Sequence, residues 1–279
     1  MQSPAQTHGT SEHTTRLETP LQGPKQRWWF VWDPLGIIFV IATWALVLSA
    51  AWILVRDVLK PSNNKLYSVP NGVGFHLLTF LALVSHLRTM LTDPGSVPLR
   101  NPPGPDTVCY CPFCLSAIPE RVYHCMVCKR CIRKNDHHCP WVNNCVGENN
   151  QKYFLLFTLY IGLMSTHVLL LLGIPVVRSH ARGEWNARST VSPPAPIFFL
   201  FLVALMGFIL ALVMFCIQMC AIYKDKTTNE MMYRNKDSQG RQSMWDNMKT
   251  VCGPRVSLVW LSPFHPPERY KASAQRNMA

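Results

Sequence analysis

Cys125-Met-Val-Cys128-Lys-Arg-Cys131-Ile-Arg-Lys-Asn-Asp136-His137-His138-Cys139 packs four cysteines, two histidines and one aspartate into fifteen residues. Cys111-Pro-Phe-Cys114 and His124 precede this run, and Cys145 follows it. Eight of the chain's 11 cysteines lie between Cys109 and Cys145, so their chemistry is local. Dispersed cysteines in a secreted chain suggest disulfides. CxxC pairs interleaved with histidines read instead as zinc ligands in a reducing compartment. A loop this polar has little apolar core, so zinc supplies much of its folding free energy. Structural zinc takes four ligands in a closed tetrahedron. The Cys and His present suffice for two such sites with residues left over, and spacing alone does not assign each ligand to a site. Asp136, His137 and Cys139 together have the makeup of an activated nucleophile: a thiol, a base beside it, and a carboxylate to orient the base.

Hydrophobic stretches flank this segment. Gly36–Val55, Gly72–Leu91, Tyr153–Val177 and Ala195–Tyr223 each approach or exceed the roughly 20 apolar residues needed to cross a bilayer. The expected fold is an all-α polytopic membrane protein. Its plan is an N-terminal arm (1–35), transmembrane helices 1 and 2 (36–91), a cysteine-rich zinc domain (92–152), transmembrane helices 3 and 4 (153–223), and a C-terminal tail (224–279). Met1 to Lys25 is polar and lacks an apolar run after a basic patch. It reads as a disordered arm and not as a cleaved signal peptide.

The net charge of +12 has a topological explanation. Lys and Arg number eight between Arg88 and Lys152 and ten from Lys224 onward, against three in each of the loops Arg56–Asn71 and Arg178–Pro194. Positive loops stay on the cytosolic side. The zinc loop and the tail are therefore expected in the cytosol, and four crossings put the N-terminal arm there too. This leaves no excess charge that calls for nucleic acid.

Smaller features read as structural. Trp28, Trp29 and Trp32 look like an interfacial anchor before the first span. Pro102, Pro103 and Pro105 form a stiff linker, and Pro193, Pro194 and Pro196 open the fourth span. His76, His86 and His167 are expected to hydrogen-bond neighbouring helices. Cys216 and Cys220, one turn apart, read as packing residues. Basic side chains near the reactive set, Arg130, Arg133 and Lys134, suit either an anionic ligand or a solvated surface.

The run from Cys111 to Gly147, with Asp136-His-His-Cys139-Pro-Trp141-Val-Asn-Asn-Cys145 at its centre, resembles the cysteine-rich domain of the DHHC protein S-acyltransferases (palmitoyltransferases). Asp93-Pro94-Gly95 and Thr227-Thr228-Asn229-Glu230 match the family's DPG and TTxE motifs, and the four-span plan is also the family's. The likeness covers about Trp28 to Pro267 and is strongest to the small Golgi subgroup. It implies one zinc on Cys111, Cys114, His124 and Cys131 and a second on Cys125, Cys128, His138 and Cys145, with Cys109 a bystander. It also implies that Trp141, Phe154 and Phe157 line an acyl cavity, with Met164 deeper in the same span, and that Thr228 supports Asp136. Asn247 matches an asparagine of the family's C-terminal motif. Cys252 departs from it, standing where close relatives carry an aromatic residue.

The expected activity is two-step transfer of a palmitoyl group from palmitoyl-CoA, through Cys139, to cysteines of membrane-associated proteins. His137 would take the thiol proton and Asp136 would orient His137. Arg133 and Lys134 are candidates for contacting the CoA phosphates. The expected residence is a Golgi or endoplasmic reticulum membrane. A membrane-anchored zinc module that only recruits partners would share the fold but have no use for Cys139. A small transporter is disfavoured by spans without paired acidic and basic residues.

Overall fold

A computed structural model describes residues 29–62, 64–97, 110–183, 195–233 and 243–266. The arm up to Trp28, the prolines at 102, 103, 105, 193 and 194, and Cys109 lie outside the described residues. Four helices are long and apolar enough to cross a membrane. They are α1 (Pro34–Ile53, continued by a π turn, Leu54–Leu59), α2 (Lys65–Leu91), α3 (Gln151–Ala181) and α4 (Ala195–Tyr223). At about 1.5 Å per residue each exceeds the roughly 30 Å of a bilayer's hydrocarbon core. The protein is a multi-pass membrane protein.

Three of the four helices outrun their apolar windows. Helix α1 starts at Pro34, before Gly36, because the Asp33 side chain caps it: its oxygens accept from Leu35 N at 3.2 Å and Gly36 N at 3.0 Å. Helix α2 begins at Lys65, not Gly72, under an Asn64 cap that accepts from Tyr67 N. Helix α3 runs from Gln151 to Ala181, beyond both ends of Tyr153–Val177. In each case the added residues include polar or charged ones: Arg56 and Asp57 in the π turn, Lys65 and Ser68 in α2, and Gln151, Lys152 and Arg178 in α3. Backbone hydrogen bonding continues into the interface, where hydropathy gives no signal.

The membrane core is built from Val47, Ala50, Leu54, Phe75, Met164, Val168, Leu200 and Ala204, drawn from all four helices. Helices α3 and α4 approach through small residues. A Cβ on Gly207 would stand 2.8 Å from Ser165 Oγ, and one on Gly162 would stand 3.7 Å from Ala211. This is the close packing expected where lipid offers no hydrophobic drive between helices. The opposite face of α4, with Phe201, Leu205, Ile209 and Leu212, is exposed and faces lipid.

The cysteine-rich segment folds as three antiparallel two-stranded ribbons. They are β1 (Tyr110–Cys111) with β2 (Ser116–Ala117), β3 (Val122–Cys125) with β4 (Arg130–Arg133), and β5 (His137–Cys139) with β6 (Asn144–Val146). Ribbons this short are not stable alone. The β5–β6 ribbon is docked onto the helix ends by buried asparagines. Asn144 donates to the carbonyls of Thr89, Met90 and Thr92 at 2.9–3.1 Å, and Asn150 donates to those of Thr89 and Cys145. Gly147 lets the loop close. A Cβ there would sit 2.5 Å from Pro94 O. Asp93 of the DPG turn accepts from Gly95 N and Ser96 N, and Gly95 takes φ +115°.

After α4 come two short helices, α5 (Thr228–Tyr233) and α6 (Met244–Cys252), and a 3-10 turn (Leu258–Leu261). Asn247 donates to Tyr223 O at 3.5 Å and Cys252 is buried, its thiol pushed up to about 11 by that burial. The tail is tied to α3: Lys152 Nζ, buried, donates to Val259 O and His265 O at 2.9 Å, and the Tyr160 hydroxyl donates to Leu261 O.

Three structural readings need correction. Cys216 and Cys220 are exposed on α4 and do not pack inside the fold. Trp29 is not an interfacial anchor. It is buried, donates through Nε1 to Asn144 Oδ1 at 3.0 Å, and carries the Arg130 guanidinium 4.5 Å above its ring, while Trp32 is exposed. His76 bonds the carbonyl of Gly72 in its own helix, not a neighbouring one. His167 does reach the next helix, at Asn71 Oδ1, and His86 accepts from Trp44 Nε1 while its Nε2 bonds Trp141 O at 2.8 Å.

Candidate active site

Strand β5 carries His137, His138 and Cys139 in succession. Alternation on an extended strand sends His137 and Cys139 to one side and His138 to the other. Asp136 immediately precedes the strand, is buried, and is held from three directions. Its Oδ2 accepts from His137 Nδ1 at 2.8 Å and from Gln218 Nε2 at 2.7 Å, and its Oδ1 accepts from Thr228 N at 2.5 Å. Burial by itself would raise the Asp136 carboxyl, but the bonds from His137, Thr228 and Gln218 hold it below the usual carboxylate range.

Donation by His137 through Nδ1 leaves Nε2 free. That atom is buried and makes no hydrogen bond. Burial disfavours a charge on the ring, yet Asp136 and the Cys139 sulfur together outweigh it, and the pKa is pushed up to about 9. Cys139 is buried in a small apolar cluster with Val142, Val146, Phe154 and Phe157. The Phe154 ring stands edge-on to His137, with centroids 5.3 Å apart, and Phe157 packs against His86 at 5.1 Å. Trp141 borders the cluster in the next residues and packs on Phe39 of α1 at 4.6 Å. Met164 lies deeper, in the helix core.

Sequence reading missed Gln218. It is fully buried near the end of α4, takes a hydrogen bond from Gln151 Nε2 on its Oε1, and passes one to Asp136. The available signal was a lone amide inside an otherwise apolar span. Thr228 supports Asp136 as expected, but through its backbone amide; its hydroxyl is buried without a partner. Glu230 explains why that amide stays in place. It pairs with Arg121 at 2.8 Å, accepts from Thr227 N, and has its carboxyl lowered below the usual range: Arg121 and Thr227 outweigh burial. Gln218→Leu removes one donor from a buried carboxylate, a loss of about 1–3 kcal/mol. Any reaction that draws on the Asp136–His137 pair should slow about tenfold or more with zinc content unchanged. An unchanged single-turnover rate would show that Thr228 and His137 suffice to hold Asp136.

The ligand sets gather as two clusters, Cys111, Cys114, His124 and Cys131, and Cys125, Cys128, His138 and Cys145, each with ligand atoms within 4.8 Å of one another. In the first, Nδ1 of His124 lies 3.3–3.7 Å from the three sulfurs; in the second, Nδ1 of His138 lies 3.4–3.8 Å from them. Tetrahedral ligands around zinc, at bonds of about 2.0–2.3 Å, stand roughly 3.5–3.8 Å apart, so both donor sets fit the ion. The close Cys125–Cys128 contact lowers one thiol and raises the other, the arrangement of sulfurs that a shared cation would suit. Cys139 belongs to neither cluster.

The basic residues are partly engaged. Arg133 pairs with Glu148 at 3.0 Å, Lys134 stands 4.0 Å from Asp225, and Arg130 covers Trp29.

A family model for DHHC palmitoyltransferase matches residues 105–235. The chain is 46% identical over 266 residues to Palmitoyltransferase ZDHHC3 of Rattus norvegicus, covering 91% of this chain and 89% of that protein. It is 45% identical to Palmitoyltransferase ZDHHC3 of Homo sapiens over the same shares. To Palmitoyltransferase ZDHHC7 of Mus musculus it is 46% identical, across 85% of this chain and 81% of the relative. With the two metal clusters and the four spans, this likeness along nearly the whole chain means that the protein belongs to the DHHC palmitoyltransferase family.

Proposed function

We propose that Cys139 is the nucleophile of a protein S-palmitoyltransferase and carries the acyl group between two half-reactions. In the first, the Cys139 thiolate attacks the thioester carbon of palmitoyl-CoA, the C–S bond to CoA breaks, and CoA thiolate departs with the proton held by His137. In the second, His137 takes the proton of a substrate cysteine, whose sulfur attacks the acyl-Cys139 thioester and restores the free enzyme. The observation that carries this reading is the relay Gln218–Asp136–His137, ending in an unpartnered Nε2 beside a sulfur that lies outside both metal clusters.

Asp136 keeps the proton on Nδ1 and favours the charged ring. The two four-ligand sets would hold zinc, which would supply rigidity to the ribbons; four protein ligands apiece suit a structural and not a substrate-binding ion. Trp141, Phe154 and Phe157 are the proposed wall for the first methylenes of the acyl chain. Burial is worth about 0.8 kcal/mol per methylene, which favours a site at the helix ends. Arg133 and Lys134 are the proposed contacts for CoA phosphates, exchanging carboxylate partners for the ligand. The zinc domain, the tail and the amino terminus are assigned to the cytosol of a Golgi or endoplasmic reticulum membrane, on the distribution of Lys and Arg. The acceptors are membrane-associated proteins with cytosolic cysteines.

Pulse labelling tests the two steps. The purified chain, mixed with labelled palmitoyl-CoA and separated from it, should hold one thioester-linked acyl group and lose it to an added cysteine peptide. Label that never reaches the peptide would refute the transfer step. The pH dependence has a defined sign. His137 has a raised pKa, so its charged form is fully present below the ordinary imidazole value of about 6.5 and is lost as pH rises through about 9. Acyl-enzyme formation should therefore decline above about pH 9. In Asp136→Asn that alkaline limb should move down toward neutrality. A limb at the same pH in both proteins would exclude His137 as its source.

A further inference from the structure

We propose that Asp33, the residue that starts the first membrane helix, is also the outer carboxylate of the second metal cluster, a positioning residue for His138. The inference rests on the zinc-ligand reading above. His138 turns Nδ1 toward Cys125, Cys128 and Cys145, so Nε2 is the atom that carries its proton when the cluster is filled. That Nε2 is buried and has no hydrogen-bond partner, and Asp33 Oδ2 stands 3.6 Å from it. Both side chains are largely screened from water, 12% exposed for His138 and 17% for Asp33. A carboxylate behind a metal-bound imidazole fixes the tautomer and raises the basicity of the ligating nitrogen. Among the described residues His124, the histidine of the first cluster, has no ion-pair partner; its ring stacks on Phe113 at 4.9 Å. The two clusters should therefore respond differently to loss of Asp33.

The surrounding contacts show why the carboxylate stays there. Asp33 Oδ2 also accepts from Gly36 N, and Pro34 follows it at the first helical position. Gly36 lies against the loop after β5: a Cβ would meet Asn143 Oδ1 at 2.3 Å and Asp33 Oδ2 at 2.9 Å. Asn143 in turn donates to Val31 O at 2.7 Å, and Trp29 donates to Asn144. The entry to α1 is thus seated on the ribbon that holds His137, His138 and Cys139. One carboxylate ties the membrane helix to the metal ligand between the two reactive residues.

Asp33→Asn separates the two roles. Asparagine caps a helix about as well as aspartate, but it brings no charge to His138. The experiment follows zinc release from the purified full chain into a chromophoric chelator. The wild type should hold two zinc ions and release them slowly. In Asp33→Asn one of the two should leave about tenfold faster or more, while the other keeps its wild-type rate. In the background His138→Cys, where no imidazole remains to be oriented, Asp33→Asn should change nothing. This second comparison stands even if the single variant accumulates poorly. Wild-type release of both ions from Asp33→Asn would overturn the role and leave Asp33 a helix cap. Equal acceleration of both ions would also overturn it, pointing to general loosening. An effect that persists in the His138→Cys background would overturn it as well. A wild-type chain without zinc would overturn the ligand assignment itself, and this role with it.

Discussion

Cys139→Ser is expected to abolish the acyl-enzyme while leaving both zinc ions in place. Serine nearly matches cysteine in volume, so Val142, Val146, Phe154 and Phe157 keep their packing. A serine hydroxyl is far less acidic than a thiol, and without the Cys139 sulfur His137 also loses one of the two groups that raise its pKa. Loss of the nucleophile typically costs several orders of magnitude, so labelling by palmitoyl-CoA should fall at least about a thousandfold. The sulfur is not part of either metal cluster, so metal content should remain at the wild-type ratio. Normal labelling would remove Cys139 from the mechanism. Lost zinc would instead make it a ligand. This pair of readouts also eliminates the alternative of a zinc module that only recruits partners, since such a protein would show no Cys139-dependent label at all.

Cys125→Ser should have the opposite profile, losing metal and fold together. Cys125 and His124 are adjacent on β3 yet belong to different clusters, and β3 pairs with β4, which carries Cys131. Loosening one cluster therefore disturbs the strand that feeds the other. The domain has little to fall back on: among its described residues the buried apolar side chains besides cysteine are few, chiefly Val122, Ile132, Val142 and Val146. A structural zinc site is worth about 10–16 kcal/mol of apparent binding energy, more than a typical domain's whole stability of about 5–15 kcal/mol. Elemental analysis of Cys125→Ser should find one zinc per chain or fewer, with the residual protein aggregated and inactive. Two zinc ions in a soluble, monodisperse variant would refute the ligand map.

Several features of this architecture are written in local chemistry. The four membrane helices follow from runs of apolar residues, because lipid rewards each such residue almost independently of its neighbours. The two clusters use residues that the sequence marks by type and spacing, although pairing His124 with Cys131, and His138 with Cys145, required the family resemblance. Asp136, His137 and Cys139 were legible because they are nearly contiguous. Helix ends were less so: Asn64 and Asp33 start their helices by hydrogen bonds that no hydropathy window contains.

What escaped the sequence were contacts between segments far apart in the chain. Gln218 looks like an odd polar residue in a span until α4 brings it, across 82 positions, to Asp136. Trp29 reads as an interfacial ring until Asn144 Oδ1 accepts its hydrogen bond, 115 positions away. Arg121 is one more basic residue until Glu230 meets it. The sequence by itself marked the candidate ligands, nucleophile and base, because each is recognised by its own side chain and its near neighbours. Only the tertiary structure decided how that chemistry is aimed, because a buried hydrogen bond depends on where two remote backbones come to rest, and composition holds no record of that.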